Sequence, residues 1–200
     1  MYQNTGIKCL IKLKMKQNQI SHYTSMNRYP DIFTEVKSKY PTPQRILSFG
    51  CSTGEECITL HKYFPCTNVI GLDINEQIIE QNKIQNKFEK IEYHSKVDSL
   101  KNKFDLIFAN SVLCVWPENT GEYTFETFEE TLKIIDDLLN VEGILCIYNS
   151  KYLFTETIIF HQNYEIIETQ HNETGFVTKY HKNNEKISNT FKYYLFKKIK

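Results

Sequence analysis

The stretch that decides the fold is residues 45–56, RILSFGCSTGEE, in which a short apolar run passes into a turn bracketed by Gly50 and Gly54. The run Arg45–Phe49 reads as a buried strand, and apolar residues at helical spacing follow in residues 57–64. Glycine in such a turn permits positive φ and a close approach of the backbone to a ligand. The helix that follows presents free N–H groups and a positive dipole end, so the stretch predicts a site for a carboxylate or phosphate.

The polar residues of this turn have a second explanation that needs no ligand. Ser52 with Glu55, or Thr53 with Glu56, has the spacing of a helix capping box. A turn with two glycines is a weak signal by itself, because tight turns between a strand and a helix use the same residues. The turn alone therefore leaves both interpretations open.

The second strand favours a ligand site. Asn68–Leu72 (NVIGL) ends at Asp73, 19 residues after Gly54. An acid at the end of the neighbouring strand can accept hydrogen bonds from both ribose hydroxyls of a nucleoside that lies across the two strands. Asp73 is also suited to cap the next helix, although Asn75 can do the same. The two motifs together predict a nucleoside cofactor.

The same alternation of strands and helices continues along the chain. It predicts helices around Asp31–Lys39, from Glu76 to about Lys87 and over 125–139, and strands at Ile91–His94, Phe104–Ala109, Gly143–Tyr148, Tyr164–Thr169, Phe176–His181 and Phe191–Ile199. The pair Asn183-Asn184 is typical of a turn, and a hairpin is expected over Phe176–Ile187. Parallel strands need such crossovers, so we expect one α/β domain over 1–200, with about seven strands and helices on both faces.

Composition excludes several classes of protein. The chain has 200 residues, with 24 Lys+Arg against 24 Asp+Glu, and no apolar run of bilayer length. A neutral charge disfavours nucleic-acid binding by electrostatics, and no membrane association is expected. The six cysteines form no CxxC pair, so no metal site is predicted. The polar start has no secretory pattern, so we expect a cytoplasmic protein with reduced thiols, in which residues 1–14 are a loosely ordered extension.

Four segments carry a resemblance to a known family. The segments ILSFGCSTGEE, VIGLDIN, FDLIFANSVL and LLNVEGILCIY resemble the successive motifs of class I S-adenosylmethionine-dependent methyltransferases. The resemblance covers a core of about residues 28–198, and CSTGEE is similar to the chemotaxis-receptor methyltransferases. Two residues depart from the family pattern. Ser48 stands where an acidic residue is usual, and Ser52 replaces the middle glycine of GxGxG, as it does in the chemotaxis variant.

The resemblance implies a Rossmann-like, seven-stranded, mostly parallel sheet whose last strand is antiparallel, and it implies S-adenosyl-L-methionine as cofactor. It also implies where the cofactor's parts lie. The implied contacts are Gly50, Cys51, Ser52 and Gly54 for the methionine portion, Asp73 for the ribose, Ile74 for the adenine face, Asp98 for the adenine amino group, and Asn110 and Ser111 beside the sulfonium. Ser95 and Lys96 are alternatives to Asp98.

The segment before the first strand holds further candidates, because members of this family often fold it over the cofactor. Arg28 is one of two arginines, and its planar fork suits the carboxylate of the methionine moiety. A surface ion pair is the other explanation for Arg28. His22 and Tyr23 are candidate general bases, and Trp116 either lines a pocket and faces a cation or packs half-buried.

The expected function is therefore transfer of a methyl group to a small-molecule or protein acceptor. The residues after the fourth strand lack the (D/N)PP(Y/F) pattern of enzymes that methylate amino groups of DNA bases or glutamine. A nicotinamide reductase of the short-chain type is disfavoured, because the only Tyr–Lys pair at the required spacing, Tyr193 and Lys197, falls in a predicted strand. An inactive cofactor-binding module or partner subunit is the remaining alternative. No catalytic residue and no oligomeric state is assigned.

Overall fold

The computed structural model describes residues 19, 21–118, 122–172, 175–187 and 191–200. The expected extension over residues 1–14 lies outside these ranges. The helices are α1 (Pro30–Lys39), α2 (Glu55–Tyr63), α3 (Glu76–Gln85), α4 (Phe125–Leu138) and α5 (Ile158–Asn163). The strands are β1 (Arg45–Phe49), β2 (Asn68–Leu72), β3 (Ile91–His94), β4 (Phe104–Asn110), β5 (Leu139–Tyr148), β6 (Tyr164–Ile167), β7 (Lys179–Tyr180), β8 (Lys186–Ile187) and β9 (Leu195–Lys198).

Seven of these strands form one sheet in the order β3-β2-β1-β4-β5-β9-β6. Strands β1 to β5 pair in parallel, whereas β9 is antiparallel to both of its neighbours, β5 and β6. The expected seven-stranded, mostly parallel sheet with an antiparallel last strand is confirmed. None of the helices in the described ranges has the length and apolarity that a bilayer crossing requires.

The two faces of the sheet carry separate apolar cores. On one face, α4 contributes Phe128 and Leu132 to a core that also contains Leu47 and Ile107. The other core contains Ile46 and buried residues of the remaining long helices, namely Phe33 and Val36 of α1, Cys57 and Leu60 of α2, and Ile79 of α3. Neighbouring residues of β1 therefore serve opposite faces, as strand geometry requires. The expectation of helices on both faces is confirmed.

The tail differs in part from the prediction. The strand expected over Phe176–His181 is reduced to β7, which pairs with β8 in a separate two-stranded sheet. The expected hairpin over Phe176–Ile187 is present, and Asn184 has the left-handed φ of 65° that its turn requires. The strand expected over Phe191–Ile199 begins only at Leu195. Propensity overestimated these strands because pairing partners, and not composition, decide their length.

The register of the sheet brings the sequence motifs to one edge. Phe49 pairs with Leu72, so β1 and β2 end at the same level. The N–H groups of Gly50 and Cys51 both donate to the Leu72 carbonyl, at 2.7 and 3.1 Å. Strand β4 lies on the other side of β1 and ends at Asn110. The glycine turn, the acidic end of β2 and the end of β4 therefore surround one crevice.

Candidate active site

A crevice of about 1050 Å³, including its opening to solvent, lies beyond the carboxyl ends of β1, β2 and β4. This is the position at which open α/β sheets bind their ligands. Ten of the predicted site residues line it, namely His22, Tyr23, Arg28, Gly50, Cys51, Ser52, Asp73, Ile74, Asn110 and Ser111. The structure therefore brings together residues from four separate segments of the chain.

The glycine turn is shaped by the protein's own packing. Gly50 and Gly54 have φ values of 80° and 89°, which favour glycine. A Cβ on Gly50 would lie 2.5 Å from Val112, and one on Gly54 would lie 2.6 Å from the Tyr93 hydroxyl. Protein side chains thus occupy the space next to both glycines, whereas the sequence had indicated close approach of a ligand. Both glycines are needed for the turn itself.

The proposed capping box is absent. Gly54 is the N-cap of α2, and no side chain caps that helix. Thr53 Oγ1 instead donates to Glu55 at 2.6 Å, and Ser52 Oγ donates to the carbonyl of His22 at 2.8 Å. The polar residues of the turn are therefore not explained by capping.

Asp73 is held by backbone N–H groups on both sides. Its Oδ2 accepts from the N–H of Ser52 at 2.9 Å, and its Oδ1 accepts from the N–H of Asn75 at 3.0 Å. The capping of α3 falls to Asn75, whose side chain accepts from the N–H groups of Gln77 and Ile78. A carboxylate has about four acceptor positions, so each Asp73 oxygen keeps capacity for a ligand. The competing explanation of Asp73 as a helix cap is excluded.

Glu56 is a partly buried carboxylate in the crevice wall that the sequence had indicated only as a capping partner of Thr53. Its oxygens accept from Ser48 Oγ at 2.7 Å and from Asn110 Nδ2 at 2.8 Å. Burial raises the pKa of Glu56 despite these two hydrogen bonds and the nearby charge of Arg28. Ser48 is the residue that departs from the family's acidic pattern, so the carboxylate here comes from the first turn of α2. The signal in the sequence was Ser48 taken together with the second glutamate of GEE.

Ser111 lines the crevice and joins two other side chains by hydrogen bonds. It has a left-handed φ of 56° at the end of β4. Its Oγ shares a hydrogen bond of 2.6 Å with the Tyr29 hydroxyl and accepts from Asn149 Nδ2 at 2.8 Å. Burial raises the pKa of Tyr29 to about 12, so its hydroxyl keeps its proton at neutral pH. This network fixes the end of β4 against the segment that precedes β1.

The sequence also matches a known family model, that of the methyltransferase domain, over residues 43–194. The chain belongs to the methyltransferase domain family. Membership confirms the resemblance to class I S-adenosylmethionine-dependent methyltransferases and, with it, the expected methyl donor. A search of curated proteins finds no match.

Solved structures of methyltransferases align with part of this chain. The ribosomal protein L11 methylase of Lactobacillus delbrueckii subsp. bulgaricus aligns with a TM-score of 0.50 and 19% identity, over 70% of this chain and 70% of that chain. The amino pentose methyltransferase CalS10 of Micromonospora echinaspora gives 0.48 and 16%, over 68% and 55%. The plantazolicin methyltransferase BpumL gives 0.45 and 20%, over 58% and 43%. This chain thus spans less than half the length of BpumL.

In this methyltransferase domain, residues 21–29 form a strap that borders the crevice. The carbonyl of His22 accepts the hydrogen bond from Ser52 Oγ. Arg28 Nη1 donates to the Tyr23 carbonyl at 3.0 Å, and the guanidinium lies 5.1 Å from the ring centroids of Tyr23 and Tyr29. The strap therefore carries a positive charge into the crevice and is fastened to the glycine turn.

Three of the predicted residues lie outside the crevice lining. Gly54 faces Tyr93 within the turn, and Asp98 is exposed on a short 3-10 helix at Val97–Ser99. Trp116 packs edge-on against Phe176, with ring centroids 5.0 Å apart. Contact of Asp98 with an adenine amino group stays a prediction, as does a functional role for Trp116.

Proposed function

We propose that this methyltransferase domain transfers a methyl group from S-adenosyl-L-methionine to a small-molecule or protein acceptor. The observation that carries the proposal is a crevice with two carboxylates, Asp73 and Glu56, and one guanidinium, Arg28. The cofactor has a ribose with two hydroxyl donors, an ammonium and a carboxylate. The charges and acceptors of the crevice therefore fit the ribose, the ammonium and the carboxylate of that molecule.

Each residue has a distinct role in this proposal. Asp73 accepts hydrogen bonds from the ribose hydroxyls, and Ile74 packs on the adenine. Glu56 faces the ammonium, and Arg28 binds the carboxylate. Gly50, Cys51 and Ser52 line the methionine portion, with Gly54 setting the turn behind them. Asp98 remains the candidate for the adenine amino group.

When bound, the cofactor supplies an electrophilic methyl group on a sulfonium. The remaining work of the protein is to position the acceptor and to exclude water, and good positioning lowers a barrier by several kcal/mol or more. Asn110 and Ser111 shape the wall at the end of β4, and the strap shields the crevice. The raised pKa of Tyr29 makes its hydroxyl a poor base, so His22 and Tyr23 remain the candidates for an acceptor that must lose a proton.

The proposal is tested by calorimetric titration with S-adenosylmethionine and S-adenosylhomocysteine, followed by assays with methyl-labelled cofactor and sets of small-molecule and protein acceptors. Saturable binding and transfer of label to an acceptor are expected. Failure to bind either cofactor form would overturn the proposal, and binding without transfer to any acceptor would favour a non-catalytic module. A cytoplasmic location is part of the proposal and is checked by cell fractionation.

A further inference from the structure

Two aromatic rings stand exposed beside the crevice. Trp116 is 37% exposed and Phe176 is 47% exposed. Their ring centroids are 5.0 Å apart with planes at 73°, a favourable edge-to-face arrangement. We call these two rings the aromatic platform. Large exposed rings bury much apolar surface when a ligand covers them, so the platform is a candidate binding surface.

The platform is tied to the floor of the crevice. The side-chain amide of Gln19 accepts from the backbone N–H of Trp116 at 3.1 Å and donates to the backbone carbonyl of Ser111 at 3.4 Å. On the other side, Asn149 accepts from the N–H of Val177 at 3.0 Å and donates to Ser111 Oγ. The backbone that carries both rings is therefore tied to the end of β4, where an acceptor must approach the methyl group.

A second tether joins the two segments of the platform directly. The N–H of Thr178 donates to Glu118 Oε1 at 2.7 Å, which links the segment that carries Phe176 to the one that carries Trp116. A ligand that binds the rings does not have to bring them together first. Preorganisation of this kind lowers the cost of binding.

Arg28 places a positive charge against the platform. Arg28 lines the crevice, and its guanidinium carbon lies 5.5 Å from the ring centroid of Phe176. Among the described residues, Arg28 donates one hydrogen bond, to the carbonyl of Tyr23. A guanidinium has five N–H donors, so it can bind a cofactor carboxylate and still offer a donor to a second anion.

We propose that Trp116 and Phe176 form the acceptor subsite, and that the acceptor is a planar aromatic small molecule that carries a negative charge. The inference rests on the proposed function, because it places the acceptor beside a bound methyl donor. The rings of the platform cover the aromatic face of the ligand, and Arg28 attracts its anionic group and repels cations.

The chain contains one tryptophan, so the emission of Trp116 reports on this subsite. We would titrate the protein, without cofactor, with benzoate, benzylammonium and cyclohexanecarboxylate. Benzoate should change the emission saturably, with an apparent Kd at least tenfold lower than those of the other two probes. Equal affinities for the three probes, or no saturable change with benzoate, would overturn the proposal.

Variants separate the two elements of the subsite. Phe176→Leu should weaken benzoate binding at least threefold, whereas Phe160→Leu should not, because Phe160 packs against Phe154 and Phe196 away from the crevice. Arg28→Gln should remove the preference for benzoate over benzylammonium. Unchanged benzoate affinity in Phe176→Leu, or an unchanged preference in Arg28→Gln, would overturn the inference.

Calorimetry with S-adenosylhomocysteine on the same wild-type protein distinguishes a failure of the acceptor assignment from a failure of the proposed function. If the cofactor binds but benzoate shows no selectivity, the aromatic anion is the wrong acceptor class and the proposed function stands. If the cofactor does not bind, the proposed function fails, and the assignment of the platform to an acceptor fails with it.

Discussion

The backbone N–H of Ser52 donates a hydrogen bond of 2.9 Å to Oδ2 of Asp73, across the ends of β1 and β2. The glycine turn and the acidic strand end, 21 residues apart, thus form one unit. The other oxygen of Asp73 accepts from the N–H of Asn75. Two backbone N–H groups orient the Asp73 carboxylate, so its position does not depend on contacts with other side chains. Its remaining acceptor capacity is available to a ligand.

Replacing Asp73 by alanine should weaken both S-adenosylhomocysteine and adenosine. Both molecules contain the ribose, and hydrogen bonds to a charged group contribute about 1.5–3 kcal/mol, or about 10- to 150-fold in Kd. Calorimetry on the variant checks this expectation. Asp137→Ala is the matched control, since Asp137 is exposed on α4, and its affinities should equal those of the wild type. Wild-type affinity in Asp73→Ala would show that the ribose lies elsewhere.

Glu56→Gln should discriminate between the same two ligands. Only S-adenosylhomocysteine carries the ammonium that we assign to Glu56, so its Kd should rise about tenfold or more while that of adenosine stays constant. Glu55→Gln is the control, because Glu55 lies one residue away and bonds Thr53 instead. An equal loss for both ligands would instead indicate that the substitution distorts the turn.

The desolvation of the Glu56 carboxyl group also predicts a pH dependence. Burial raises its pKa above the ordinary value of 4.5, so the folded protein holds this proton more tightly than the unfolded chain. The free energy of unfolding therefore contains a contribution that falls as the pH rises from about 4.5 through the raised pKa of Glu56. Binding of an ammonium needs the ionised form, so affinity for S-adenosylhomocysteine should rise over the same window, by at most about tenfold per pH unit.

The ratio of the affinities for S-adenosylhomocysteine and adenosine isolates Glu56, because Asp73 affects both ligands. That ratio should increase with pH in the wild type and stay flat in Glu56→Gln. Calorimetric titrations from pH 4.5 upward measure it. A ratio that is independent of pH in the wild type would separate Glu56 from the ammonium.

Local sequence predicted the parallel part of the sheet well. Strand β2 has the bounds Asn68–Leu72 that its apolar run indicated, because a strand buried on both faces needs such a run. The tail was predicted less well. Residues 176–181 have strand propensity, yet only Lys179 and Tyr180 pair, and they pair outside the main sheet. Strand β9 pairs with β5, and no local sequence pattern indicates which later segment pairs there.

The site residues, too, could be predicted where local sequence determines their position, and not where it depends on the folded sheet. Asp73 and the glycine turn could be placed because both lie at strand ends, which the strand pattern fixes. Glu56 was missed because its environment comes from Ser48 on β1 and Asn110 on β4, which meet it only in the folded sheet. Asp98 follows β3, and its side chain is exposed outside the crevice lining.

The bond between Ser52 Oγ and the carbonyl of His22 predicts how the strap controls cofactor exchange. It measures 2.8 Å and joins the strap to the glycine turn. A hydrogen bond of this kind contributes about 1 kcal/mol, so Ser52→Ala should loosen the strap and speed amide exchange of residues 21–29 by about fivefold. Because a bound cofactor leaves through the crevice that the strap borders, its dissociation rate should rise by a similar factor.

Hydrogen exchange and stopped-flow dissociation of S-adenosylhomocysteine measure the two effects independently. Ser38→Ala is the matched control, because Ser38 also donates its hydroxyl proton to a backbone carbonyl, that of Glu35, but within α1. Exchange and dissociation should both remain at wild-type rates in that variant. If Ser52→Ala accelerated exchange in the strap while dissociation stayed constant, the strap would open without releasing the cofactor, and its assignment as a barrier to exit would be wrong.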